Sequence, residues 1–139
     1  KSSMNCEKWW KNLYPIRVPI SNWRFIYNKL QTLEPDDISA DQDAWDSVLT
    51  QDILNMRSER GEQTVILDLG WYPDGEPSGQ YRLIALLDED YLNPILEFTS
   101  RSTREVVDTL ELWLFEYLGH DPIHEKAFRK RHPNKGRKS

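Results

Sequence analysis

The feature that most limits what this chain can fold into is a pair of β-rich runs on either side of a breaker-rich loop. Thr64-Val65-Ile66-Leu67-Asp68-Leu69-Gly70-Trp71-Tyr72 and Gln80-Tyr81-Arg82-Leu83-Ile84-Ala85-Leu86-Leu87 are dense in β-branched, aromatic and aliphatic residues. Between them, Pro73-Asp74-Gly75-Glu76-Pro77-Ser78-Gly79 places two glycines and two prolines in seven residues, which no regular element tolerates. The runs therefore predict neighbouring strands joined as a hairpin. Asp88-Glu89-Asp90 closes the second strand, and Pro94 to Thr99 predicts a third, so the sheet reads as an antiparallel meander of three or more strands.

Helical spacing is read on both sides of that sheet. Ser21 as N-cap, with Trp23, Ile26, Tyr27, Leu30 and Leu33 recurring at three- and four-residue steps, predicts a helix over 22–33. Pro35 breaks it. A second stripe, starting from Asp41 and carried by Trp45, Val48, Leu49, Asp52, Ile53 and Met56, predicts a helix that stops near Gly61. Ser102 and Glu105 form a capping box for a final helix over 102–118, whose apolar side is Val106, Val107, Leu110, Leu114, Phe115 and Leu118, with Gly119 as its stop. The segment before Ile20, with Pro15 and Pro19, reads as an extended arm or a short leading helix. Strands grouped together and apart from the helices predict an α+β fold: N-terminal helices, a sheet meander, and a C-terminal helix packed on the sheet. The expectation is one domain over 1–132 and a flexible basic tail over 133–139.

The net charge of -5 hides two opposed parts. Residues 126–139 carry seven basic groups and no acid, which leaves -12 on residues 1–125. Between Glu34 and Met56 there are seven acids (Glu34, Asp36, Asp37, Asp41, Asp43, Asp46, Asp52) and no Lys or Arg. Such a field repels phosphate backbones and membrane surfaces and attracts basic partners, so neither direct nucleic-acid binding nor membrane binding is expected. No apolar run reaches the roughly 20 residues of a bilayer span, and the first residues lack a signal peptide's apolar core, so the default expectation is cytoplasmic. The single cysteine, Cys6, cannot form an internal disulfide.

No constellation of catalytic residues emerges. The glycine-bearing loop 70–79 lacks the lysine and the following helix of a phosphate cradle. Asp68, Asp74, Asp88, Glu89, Asp90 and Glu97 lie on or beside the strands as a metal-dependent hydrolase would need, but without a neighbouring lysine. His120 and His124 have helical spacing for zinc, yet Pro122 separates them, and they read with His132 as part of the basic C-terminus. No nucleophile elbow is present. The reading is a protein that is not an enzyme and needs no metal or cofactor. Trp23, Trp45 and Trp113 read as core. Trp71, beside Tyr72 and an acidic turn, reads as an interface anchor.

The acidic run from Glu34 to Asp52 and the strand-and-turn Asp68-Leu69-Gly70-Trp71-Tyr72-Pro73-Asp74-Gly75, in a small α+β chain rich in tryptophan, resemble the immunity proteins of bacterial polymorphic toxin systems, including contact-dependent growth inhibition. That resemblance implies a tight one-to-one complex with a cognate toxin domain, often a nuclease, blocked at or near its active site. An acidic surface suits the basic cleft of such a partner. The expected contact residues are Glu34, Asp36, Asp37, Asp41, Asp43 and Asp46, with Trp71, Asp74 and Glu76 as a second patch. An acidic regulatory or adaptor protein for another basic partner, and a hydrolase using the sheet-edge carboxylates, are the alternatives.

Overall fold

The described residues form five strands: β1 (Trp23–Asn28), β2 (Leu54–Arg60), β3 (Gln63–Tyr72), β4 (Gln80–Leu87) and β5 (Leu96–Ser100). They lie in chain order, each antiparallel to the next, as a single meander. Helix α1 (Thr103–Leu112) follows and runs into a π-helical turn over Trp113–Tyr117. The computed structural model describes residues 13–19, 22–38, 45 and 47–118. The tail over 133–139, the three histidines, and Asp41, Asp43 and Asp46 lie outside the described residues.

The expected α+β fold with N-terminal helices is not what forms; the fold is mostly β. The segment read as a first helix contains β1 instead. Its sequence Trp-Arg-Phe-Ile-Tyr-Asn is rich in β-formers, and a register shift between Phe25 and Tyr27 breaks the alternation that would have announced a strand. The second half of the segment read as a second helix is β2. Leu, Met, Arg and Glu favour helix in isolation, but here Leu54, Met56 and Ser58 turn to the core while Arg57 and Glu59 turn away. Pairing on both sides overrides propensity. Trp45 and Ser47 do carry helical backbone, which ends before Thr50. Gly61, read as a helix stop, adopts φ +67° as the first residue of the two-residue β2–β3 turn, a conformation that glycine reaches without strain.

One face of the sheet is the core. Leu54, Met56, Leu67, Leu69, Trp71 and Leu83 pack with Val106, Val107 and Leu110 of α1 and with Leu114 of the π turn. Trp71 sits at the centre, 5.1 Å edge-on from Tyr81 and 5.8 Å from Trp45. The extended stretch Leu13–Pro19 lies beside this layer. Its Tyr14 N–H donates to the Leu30 carbonyl (2.9 Å), and Arg17 grips Glu111 of α1 through Nη2 (2.8 Å) and Nε (3.2 Å). Phe115, expected on the buried stripe, is instead exposed, because the π turn changes the angular step between side chains.

The helix is fixed at both ends. The Ser102 hydroxyl accepts from the Glu105 N–H (3.2 Å), as the capping box requires, but the Glu105 carboxylate receives the Ser100 hydroxyl (2.7 Å). The Glu34 carboxylate accepts from the N–H groups of Thr103 (2.8 Å) and Arg104 (2.9 Å). The Thr103 hydroxyl donates to the Leu33 carbonyl (2.6 Å) and receives Tyr81 Oη (2.8 Å). At the other end, buried Arg60 donates to the Leu118 carbonyl and stacks 5.2 Å above Trp23, a cation where the helix leaves its carbonyls. Among the described residues, no helix is long and apolar enough to cross a membrane.

Leu110 is fully buried between helix and sheet. Leu110→Ala is expected to lower stability by about 2–5 kcal/mol in urea denaturation, the range for a cavity at a packed leucine. A loss below about 0.5 kcal/mol would contradict the docking of α1.

Candidate functional site

Strand alternation gives the sheet a second face, and among the described residues no helix lies over it. A row of cross-strand partners runs along it: Tyr27 on β1, Asn55 on β2, Asp68 on β3, Ile84 on β4 and Glu97 on β5. Ile66, Ile84 and Leu86 form a small buried apolar cluster on this second face, so its centre is not exposed to solvent. Around it the charges are matched. Arg24 bonds Glu59 (3.0 Å), Arg57 bonds Glu89 (3.0 Å) and Arg82 bonds Glu97 (2.7 Å). The Arg57 pair reaches into the connection between β4 and β5, where Asp88 and Glu89 both take left-handed backbone. It ties that connection to the second face. Tyr91 of the same connection is 50% exposed and Leu92 is 91% exposed.

Two carboxylates on this face have no basic partner among the described residues. Asp68 accepts only from Asn55 Nδ2 (2.9 Å), and Asp52 receives a long 3.4 Å contact from Tyr27 Oη. Gly70 explains how Asp52 comes to be there. The Ile53 N–H bonds the Leu69 carbonyl (3.0 Å) and the Trp71 N–H bonds the Thr50 carbonyl (2.8 Å), so Gln51 and Asp52 bulge out between those bonds, over Gly70. A Cβ at Gly70 would collide with the Gln51 carbonyl oxygen and approach Tyr72 Cε2 at 2.9 Å. Asp74 Oδ1 holds the bulge by accepting the Gln51 N–H (2.8 Å).

Burial and charge act together here. Loss of water pushes the Asp68 carboxyl above its ordinary range and neighbouring Asp52 adds to this, while the Asn55 bond and the more distant Arg57 and Arg82 pull it down without restoring it. Tyr27 is pushed up to about 12, first by burial and then by Asp68 and Asp52. Tyr72 and Tyr91 are raised for the same reasons. Three tyrosines thus share one negative field centred on Asp68 and Asp52, and Tyr72 is 37% exposed.

The sequence-predicted contact residues are distributed differently. Glu34 is committed to the N-terminus of α1. Asp36 pairs with Arg101 (2.8 Å), and Asp37 is exposed beside a 420 Å³ hollow. Trp71 has 0% exposure and offers no surface to a partner; its indole N–H donates to the Glu76 carbonyl (2.7 Å). Asp74 supports the bulge, and Glu76 is exposed. The two expected patches do meet at Arg101, which bonds Asp36, donates to the Pro77 carbonyl (2.8 Å) and lies 5.4 Å over Trp71. The remaining strand-edge acids have structural tasks: the Asp88 carboxylate receives the Thr64 N–H (2.8 Å), and Glu89 and Glu97 hold arginines. Among the described residues, no three His, Cys, Asp or Glu side chains converge to hold a metal ion.

Tyr27, Asp52 and Asn55 were missed as site residues because they sat on expected helices. The signal that points to this face is Asp68 itself, an acid in the middle of an apolar run, at even spacing with Gly70 and Tyr72. No family model, curated protein or solved structure matches this chain.

The raised Asp68 carboxyl gives a signed expectation for stability. The folded state holds this proton more tightly than the unfolded chain, so the contribution is fully present below the unfolded pKa and is lost as pH rises through the folded one. Asp68→Asn, which keeps an oxygen for Asn55, is expected to be more stable than the parent at about pH 7, the gap closing towards about pH 3. Urea melts at the two pH values check this; a variant no more stable at neutrality contradicts it. Gly70→Ala is expected to cost about 1–3 kcal/mol by overpacking against backbone. It should also shift the amide resonances of Gln51 and Asp52, which a spectrum of the folded variant reads directly.

Proposed function

We propose that this chain is a binding protein without turnover, which neutralises a basic partner in the cytoplasm by covering it, in the manner of an immunity protein acting on a toxin domain, a nuclease in particular. The observation that carries the reading is the charge pattern on the second sheet face. Its arginines are each matched with an acid, Lys29 lies 5.6 Å over the Tyr27 ring, and Asp52 and Asp68 stand outside these ion pairs. Tyrosine-rich surfaces with a charged centre make protein contacts at low entropic cost. A carboxylate kept desolvated and without a cation costs folding free energy, and such a cost is commonly retained for function. The exposed acids Asp37 and Glu76, outside this face, add to the field that steers a cation towards the molecule.

The same acidic face would serve an adaptor for another basic protein. The matched strand-edge acids support either binding role more than hydrolysis, because Asp88, Glu89 and Glu97 are held by the fold.

The experiment is co-expression with the basic protein encoded by the reading frame directly upstream, followed by growth rescue and surface plasmon resonance. The expected result is rescue, a one-to-one complex, and association that slows steeply with salt. Asp37→Asn with Glu76→Gln should reduce that salt slope while leaving dissociation nearly unchanged. Absence of rescue and of a complex would overturn the toxin reading.

A further inference from the structure

We propose that β5 pairs with β5 of a second copy of this chain, antiparallel about a two-fold axis at Phe98, so that two five-stranded meanders join into one sheet. This goes beyond the binding role proposed above and does not depend on it. The first observation is the direction of the backbone groups. In an antiparallel ladder, residues that bond one neighbour alternate with residues that face the other way. The Asp88 N–H bonds the Thr64 carbonyl (2.8 Å) in the register of β3 and β4, so Arg82, Ile84 and Leu86 turn their N–H and C=O groups to β3. Tyr81, Leu83 and Ala85 therefore face β5, where their partners are Ser100, Phe98 and Leu96. Glu97 and Thr99 are left over. Their N–H and C=O groups point off the edge of the sheet, both residues are exposed, and none of those groups has a bond among the described residues.

The second observation is that the two edges are unlike. At one edge, β1 carries a bulge between Phe25 and Tyr27 and the cations Arg24 and Lys29, features that keep a strand from being paired. At the other, β5 runs over five residues in unbroken register without proline, lysine or arginine.

The third is self-complementarity. With Phe98 on the axis, Glu97 stands opposite Thr99 of the second copy and Thr99 opposite its Glu97, so each free N–H meets a free C=O. The acid faces a hydroxyl that can donate to it. Phe98, partly buried against the core, meets its own copy as the close, non-hydrogen-bonded pair, in which cross-strand side chains touch. An axis at Glu97 would set two acids face to face, which is unfavourable. An axis at Thr99 would call on Arg101, which Asp36 and the Pro77 carbonyl already hold.

Sedimentation equilibrium of the full chain from about 1 to about 500 µM reads the association. The mass is expected to rise from that of one chain to that of two. Because each copy carries -5, added salt should tighten the pairing, the reverse of its effect on a basic partner. With rising concentration the amides of Glu97 and Thr99 should gain protection from hydrogen exchange, and those of β1 should not. Thr99→Pro removes an outward N–H and leaves the ladder to β4 intact, so it should abolish the dimer while the amide spectrum stays dispersed. Thr99→Glu and Thr99→Arg change only an exposed side chain and keep the test open if proline unfolds the strand. Glu, set opposite Glu97 of the second copy, should weaken the pairing by about threefold or more, and Arg should tighten it. A chain that stays single across the range, or a dimer that all three variants leave unchanged, would overturn the pairing. A dimer that gives no growth rescue keeps the pairing and loses the toxin role; a rescuing chain that stays single loses the pairing alone.

Discussion

The first turn of a helix exposes N–H groups that no residue of the helix can satisfy, and the way α1 satisfies its own holds this molecule together. Glu34 supplies both carboxylate oxygens to Thr103 and Arg104, across about half the length of the chain. The Thr103 hydroxyl then links the Leu33 carbonyl to Tyr81 of β4. Three distant segments, the stretch after β1, the middle of the sheet and the helix, are therefore joined at one node. The node also orients α1 so that its apolar side meets Leu67, Leu83 and Trp71. An acid that charge counting assigns to a partner surface also caps the helix. Helix termini attract carboxylates strongly enough to recruit them from anywhere the chain can bring them.

The two faces of the sheet are governed by different physics. Beneath α1, close packing decides, and Trp71 is fixed by Tyr81, Trp45, Arg101 and its own bond to the Glu76 carbonyl. On the other face, charge pairs along adjacent strands surround the buried cluster of Ile66, Ile84 and Leu86, with Asp52 and Asp68 outside those pairs. Stability alone would favour a neutral or apolar residue at position 68. The carboxylate there is kept despite the cost of its burial, and the neighbouring Gln51-Asp52 bulge lies over Gly70, where a Cβ would meet the Gln51 carbonyl.

Much of this architecture was readable from residue patterns. The hairpin of β3 and β4, the following β5 and the Ser102 cap of α1 each carry a strong local signal, because breakers and caps act within a few residues. The N-terminal half was misread for physical reasons. In β1 the bulge at Phe25–Tyr27 gives a strand the apolar spacing of a helix. In β2 good helix formers are held extended by neighbours on both sides, information that lies in β1 and β3 rather than in the segment itself. The site was hidden for the same reason. Tyr27, Asn55 and Asp68 are far apart in the chain and become one row only when the register of three strands is known.

That register separates two kinds of inheritance. Because side chains alternate, the partly exposed positions 57, 68 and 82 can be exchanged without entering the layer under α1, whereas Asn55, Ile66 and Ile84 are buried on their own side of the sheet. Substitutions can thus gather at the partly exposed outward positions while the inward half keeps the architecture. Close relatives of this chain would then differ most at alternate residues, a two-residue rhythm of divergence across the central strands.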